Sequence, residues 1–189
     1  MPGVRPIEFD RDAALDAAVD VFWDGGYDGT NLPRLLEATG IARQSLYNAF
    51  GDKRGLFLEA VRRYSDARVA EHERRLAADP PLDALIELVR GWRHRRRQTR
   101  GRGCLACLAA TGLGRRDPEV AAEVARHADR LAAAFAGPLA RAGVADASGV
   151  AAGLVAAHCG VGVLSRSPGT QPLIEGAADA AVRVLEALR

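Results

Sequence analysis

YDGTNLPRLLEATGIARQSLYNAFGDKRGLF, Tyr27 to Phe57, is the stretch that decides the fold of this 189-residue chain. It spells two short helices. The first runs from about Asn31 to Ala38, capped by Thr30 or Asn31, with Pro33 tolerated in its opening turn and Leu32, Leu35 and Leu36 as core positions. Gly40 supplies a tight reversal, and Ala42 to Phe50 makes the second. Two such helices joined by a Gly-containing turn form a helix-turn-helix, spanning about 31–50. The second helix has two faces. Leu46 and Phe50 stand at i and i+4 and can pack on the first helix and on Phe22, while Arg43, Gln44, Tyr47 and Asn48 point elsewhere. Those types suit nucleic acid, since Arg pairs bidentately with guanine and Gln or Asn with adenine. Thr30, Ser45, Tyr47 and Lys53 are each able to serve a phosphate oxygen, a contact that sets register on a duplex.

Working outward, Asp10 reads as the N-cap of a helix with Leu15, Ala18, Val19 and Phe22 on one face, ended by Gly25-Gly26. Asp12, Asp16, Asp20 and Asp24 make a ladder on that helix, read as a solvated face. After the motif, Asp52 caps a helix carrying Leu56, Phe57, Ala60, Val61 and Tyr64, extending to about Ala78. Asp79-Pro80-Pro81 is a break. Helices follow at about 82–96, 104–112, from Pro118 under an Asp117 cap, at 147–165 under Asp146, and at about 172–188. Gly137-Pro138 is expected to kink or interrupt the long one. The expected fold is all-α with about nine helices.

Composition agrees. Alanine fills 37 positions and aromatics 5%, which excludes an all-β fold, and a 26% charged content netting +2 excludes a disordered chain. The cations are 25 Arg and one Lys, an Arg-rich usage that reflects coding bias and is not evidence for nucleic acid. Three cysteines and a start without an apolar leader point to a reducing cytoplasm. Ala147 to Ser165 carries no charge and has the length of a membrane span. Its Gly149, Gly153, Gly160 and Gly162 suit a close helix–helix seam better.

The motif resembles the TetR family of bacterial one-component transcriptional regulators. The resemblance rests on Gly26-Tyr27-x-x-Thr30, on Gly40-Ile41-x-x-x-Ser45-Leu46-Tyr47-x-x-Phe50, and on Lys53 with Leu56-Phe57 after it. It implies a DNA-binding domain over 8–68 and an effector-binding and dimerisation domain over 69–189. Thr30 and Asn31 would touch phosphate, and Arg43, Gln44, Ser45, Tyr47 and Asn48 would lie in the major groove. Lys53 would anchor the next helix on the backbone. It further implies a homodimer on a palindromic double-stranded DNA operator, acting as a ligand-responsive repressor. The unidentified small-molecule effector would bind among the helices of 53–145. Pocket candidates are Trp92, Cys104, Cys107, Leu108 and His158. The last two helices would form the dimer seam, with Val150, Leu154, Val161, Leu164, Leu173, Ala177 and Val184 as its candidates. Gly103-Cys104-Leu105 and Asp117-Pro118-Glu119-Val120 resemble a recurrent C-terminal variant, which often carries Asn and Glu where Leu108 and Gly112 stand here. The charge departs from a DNA-binding footprint, since residues 1–54 hold nine acids and six bases.

Two features keep open readings. Cys104-x-x-Cys107 places two thiols a turn apart, read chiefly as buried small hydrophobes, with thiol or metal sensing as the alternative. Arg90 to Arg102 holds seven Arg and no acid, either as a solvated face or as an attractor of an acidic effector or DNA backbone. No phosphate-binding Gly loop, His-Glu-x-x-His or Gly-x-Ser-x-Gly occurs, so neither enzyme chemistry, a metal nor a cofactor is expected.

Overall fold

In the computed structural model, which describes residues 9–189, all regular structure is helical. The order is α1 Arg11–Gly25, α2 Leu32–Thr39, α3 Arg43–Phe50, α4 Lys53–Leu76 and α5 Pro81–Arg90. A 3₁₀ turn, Gly91–His94, leads into the single turn α6 Arg95–Gln98. Then come α7 Leu105–Thr111, a second 3₁₀ turn at Leu113–Arg115, α8 Pro118–Arg141, α9 Ala147–Leu164 and α10 Gln171–Glu186.

Local chemistry starts most of these helices. Carboxylates of Asp10, Asp52, Asp117 and Asp146 and the Asn31 side chain each accept an amide of the following first turn, filling donors that have no intrahelical partner. Gly40 turns the chain between α2 and α3 in the left-handed region (φ 67°), where a β-carbon is strained. Pro138 does not interrupt α8: it falls in the last turn, and the helix continues to Arg141.

Two cores form. The N-terminal one gathers Phe22 of α1, Leu35 of α2, Leu46 and Phe50 of α3, and Leu56, Phe57 and Val61 of α4. Phe57 meets Phe22 and Tyr27 edge-on, with ring centres 4.9 and 5.2 Å away. The same core runs on into α7 through Leu105, Ala106 and Ala109. The second core lies among the second half of α4, α5, α8, α9 and α10, around Phe135, Leu85, Leu131 and Ile174. α9 is apolar enough by length and composition to cross a membrane (mean hydropathy 1.7), yet one face packs on α8 and α10.

The acidic ladder of α1 is not merely solvated. Arg63 of α4 holds Asp12 and Asp16 at 2.9 Å, Arg102 holds Asp20 at 2.6 Å, and Arg34 holds Asp24 at 3.4 Å. Arg116 likewise takes Asp28 at 2.6 Å. Arginines from distant parts of the chain therefore offset the negative excess of the N-terminal segment. Arg166, just past α9, donates to the carbonyls of Trp23 and Asp24 at the end of α1, and Trp23 Nε1 donates to the Gly103 carbonyl at 3.2 Å. Gly103 (φ 70°) must be glycine, because a β-carbon there would lie 2.3 Å from the Gly162 carbonyl oxygen.

Asp117 ties the two halves together. It accepts the Glu119 and Val120 amides at 3.1 Å and receives Arg54, at the start of α4, through two guanidinium nitrogens. The Arg54 hydrogen bonds lead in holding this carboxyl below the usual carboxylate range, against the opposing effect of burial. A depressed folded-state pKa contributes stability above the unfolded value, lost as pH falls through the folded one. Asp117→Asn is expected to lower the Tm at pH 7, and the gap to the parent should close as pH drops below about 4. Circular dichroism melts across pH 3–7 check this; a constant gap would contradict it.

Candidate nucleic-acid interface

α3 is a short rod with one sealed side. Leu46 is fully buried and Phe50 nearly so, both in the core with Phe22 and Leu35. Arg43, Gln44, Tyr47 and Asn48 are all exposed on the other side, and Ser45 is half-buried. Gln44 Nε2 donates to Asn48 Oδ1 at 2.9 Å, an i,i+4 pair that holds both amides at one level of the helix. Among the described residues no carboxylate pairs with Arg43, so its guanidinium fork is available for a base edge or phosphate. The N-cap of α3 is Ala42, which contributes no side-chain acceptor, leaving first-turn amides for an anionic oxygen.

The flanks differ from one another. Asn31 is exposed; its carbonyl oxygen caps Arg34 N at 2.9 Å, leaving the amide NH₂ outward. Lys53, at the start of α4, stands 4.2 Å over the Tyr27 ring, which fixes its position. Its pKa is lowered by burial, against the attraction of Asp28. Thr30 corrects an expectation. It is 2% exposed and its hydroxyl donates to the Gly26 carbonyl at 2.7 Å, so it closes the α1–α2 turn from inside and does not face a phosphate.

The C-terminal candidates do not share one cavity. Trp92 alone of the five pocket residues lines the polar cavity between α4, α5 and the Gly91–Thr99 segment. His158 is buried against it, ring centres 5.3 Å apart, and is kept neutral by burial first and by the charge of Arg95 next. Leu108 is elsewhere: it packs over Gly26, in the seam between α7 and the end of α1. Cys104 is buried in the N-terminal core, and Cys107 lies beside Cys159, with its Sγ 3.9 Å from the Cys159 carbonyl oxygen. Among the described residues no group of three or more His, Cys, Asp or Glu is arranged to hold a metal ion.

On α9 and α10 the seam candidates divide by face. Leu173 and Val184 are 63% and 54% exposed. With Val150, Gly153, Leu154 and Ala157, Ala177 and Val184 line an apolar groove of about 430 Å³ running between the two helices. Leu164 is half-buried against the second core. Val161 is 1% exposed inside its own subunit, which removes it from any seam; the uncharged run of α9 conceals that one of its sides is already used. On α10 the core side is Ile174, Ala178, Val182 and Leu185.

Sequence spacing does not single out Arg102, Arg116 and Arg166, though Arg102 and Arg166 join the C-terminal half to α1 and Arg116 joins it to the turn that follows. Their partners lie 82, 88 and 142–143 positions away, beyond any local spacing rule.

Known proteins match this architecture. A family model for bacterial regulatory proteins of the tetR family matches residues 14–60. The chain is 38% identical over 140 residues to YezE of Bacillus subtilis, an uncharacterized HTH-type transcriptional regulator, covering 73% of this chain and 72% of that protein. It is 50% identical over 72 residues to the HTH-type transcriptional repressor ComR of Escherichia coli, covering 38% of this chain and 34% of that one. Among solved structures it is similar to a cysteine mutant of CifR, a TetR family transcriptional regulator complexed with 26-bp double-strand operator DNA. That match has a TM-score of 0.81 at 30% identity, over 95% of this chain and 98% of the other. The chain belongs to the TetR family and is a helix-turn-helix, DNA-binding transcriptional regulator.

Proposed function

We propose that the protein is a cytoplasmic repressor without catalytic activity. As a homodimer it presents two copies of α3 to successive major grooves of a palindromic operator, and it lets go when a small molecule binds its C-terminal half. The observation that carries this is α3 itself, with four polar side chains outward on a helix whose opposite side is locked into a core. Base edges are read by side chains held rigidly from behind, and Arg43, Gln44, Tyr47 and Asn48 meet that requirement. Half-sites one helical turn apart require the two recognition helices to sit about 34–36 Å from each other.

The apolar groove over α9 and α10 supports the dimer. It would place the Gly153 and Ala157 backbones close to a second copy, with Val184 and Leu173 completing the buried patch. Release follows if an effector favours a dimer whose α3 spacing no longer matches the groove. Moving such an equilibrium from 1:99 to 99:1 takes about 5.5 kcal/mol of differential binding.

Arg43→Ala is expected to weaken binding at one base position of each half-site by about 1–3 kcal/mol, or about 5–150-fold, with unchanged thermal stability. Fluorescence anisotropy on operator variants substituted base by base checks this. Equal loss on every sequence would assign Arg43 to a phosphate, and no loss on any would remove α3 from the interface.

A further inference from the structure

Arg95 is 6% exposed, and among the described residues no carboxylate stands within salt-bridge distance of it; its Nε has no hydrogen-bond partner. A buried guanidinium without a counter-charge is strongly unfavourable, so native chains rarely keep one. Arg95 lines a cavity of about 450 Å³ together with Arg68, Arg75, Arg102, His72 and Trp92. Arg68 is paired with Glu71 at 3.0 Å and Arg102 with Asp20 at 2.6 Å, which leaves Arg75 and Arg95 as excess charge. The same walls carry other unpartnered buried atoms: Trp92 Nε1, both His72 ring nitrogens and Arg102 Nε. Such atoms are few in a native protein, and five of the nine among the described residues belong to side chains that line this cavity.

The charge in this space is net positive: four guanidinium groups line it against one carboxylate, Glu71, which Arg68 already holds. Burial, followed by the fields of Arg95, Arg75 and Arg68, lowers the His72 pKa to about 3, so the imidazole is neutral. Leu88, Trp92 and Trp23 add apolar wall, and the volume is that of a small-molecule site. We propose that the cavity binds a small organic carboxylate, the carboxylate as counter-ion of the Arg95 fork and its apolar body against Trp92 and Leu88. This deepens the effector reading above and rests on it for the consequence of binding, not for binding itself. Arg102 supplies the mechanical link: it lines the cavity, lies 4.1 Å over the Trp23 ring and holds Asp20 of α1. A ligand that draws Arg102 inward takes it from α1, the helix on which α2 and α4 are packed.

Both tryptophans of the chain line this cavity, so intrinsic fluorescence reports on it directly. The DNA-free protein is titrated at constant ionic strength with acetate, hexanoate, benzoate, the neutral analogue benzamide, and inorganic phosphate. Saturable binding of hexanoate or benzoate is expected, with none by benzamide and no displacement by phosphate. Arg95→Met should weaken carboxylate binding by about 30-fold or more while the apo Tm stays level or rises, because an unpaired buried charge is removed. Arg95→Lys, keeping charge but not the fork, should fall between. Failure of all three carboxylates to saturate, benzamide binding as well as benzoate, phosphate binding alone, or Arg95→Met binding like the parent would each overturn the proposal. Operator titration run separately distinguishes the readings: a carboxylate that binds without altering operator affinity leaves the pocket standing and removes the release step.

Discussion

Val184→Glu is expected to convert the dimer to a monomer and to lower operator affinity by about 10²–10⁴-fold, the range lost when a second tethered contact is removed. Val184 projects from α10 beside the groove that Val150, Gly153 and Ala157 open on α9. An isologous seam brings the same patch of both copies together, so one substitution introduces two carboxylates into an apolar contact with no cation nearby on α9, which carries no charged residue. The subunit itself should keep its stability, since Ile174, Ala178, Val182 and Leu185 hold α10 from the other side. Sedimentation velocity gives the mass and anisotropy the affinity. A variant that remains dimeric would move the seam to another face.

Phe57→Ala is expected to cost about 3–5 kcal/mol of folding stability. Its ring is 1% exposed and is met edge-on by Phe22 and Tyr27, so truncation leaves a cavity at the junction of α1, α4 and the turn into α2. Tyr27 in turn lies under the Lys53 ammonium. Loss of the Phe57 ring therefore reaches the start of α4 as well as the platform beneath α3. Urea unfolding should show a lower midpoint, and operator binding should weaken through loss of folded α3 although Phe57 touches no solvent-facing residue of it. A loss of unfolding free energy below about 1 kcal/mol would mean that this core relaxes to fill the gap.

Much of this was legible in the sequence because it is local. Caps act within three residues, and the Asp10, Asn31, Asp52, Asp117 and Asp146 starts follow from one acceptor meeting the free amides of a first turn. The two sides of α3 follow from helical period alone: Leu46 and Phe50 repeat at four, and the polar residues fill what is left. Burial that depends on distant segments was not legible. Thr30 has the chemistry of a phosphate contact, but its surroundings turn it inward to Gly26. Val161 and Leu154 read as seam candidates on an uncharged helix, and only the packing of α8 and α10 shows that both lie on its buried side, 1% and 4% exposed. Leu108 is a pocket candidate only through the resemblance to a C-terminal variant that carries a polar residue there, whereas α7 presents this leucine to Gly26.

Charge was the least legible quantity of all. The α1 ladder reads as self-repelling and solvated until arginines from α4, from the loop before α7 and from α2 arrive on it. The arginine run of 90–102 likewise reads as one feature but has several fates. Arg90 pairs with Glu87 and Glu186 and Arg93 with Asp179, while Arg102 reaches α1 and Arg95 goes inside. Side chains this long take whichever partner the tertiary structure brings, and no spacing rule names it in advance.

The central claim is that a symmetric pair of α3 helices reads DNA, and selection of bound duplexes from a fully random library tests it most directly. The account predicts a palindromic consensus whose half-sites are centred one helical turn apart, lost when Arg43, Gln44, Tyr47 and Asn48 are together replaced by Ala. Recovery of no consensus, or of a single asymmetric site held by one subunit, would contradict it.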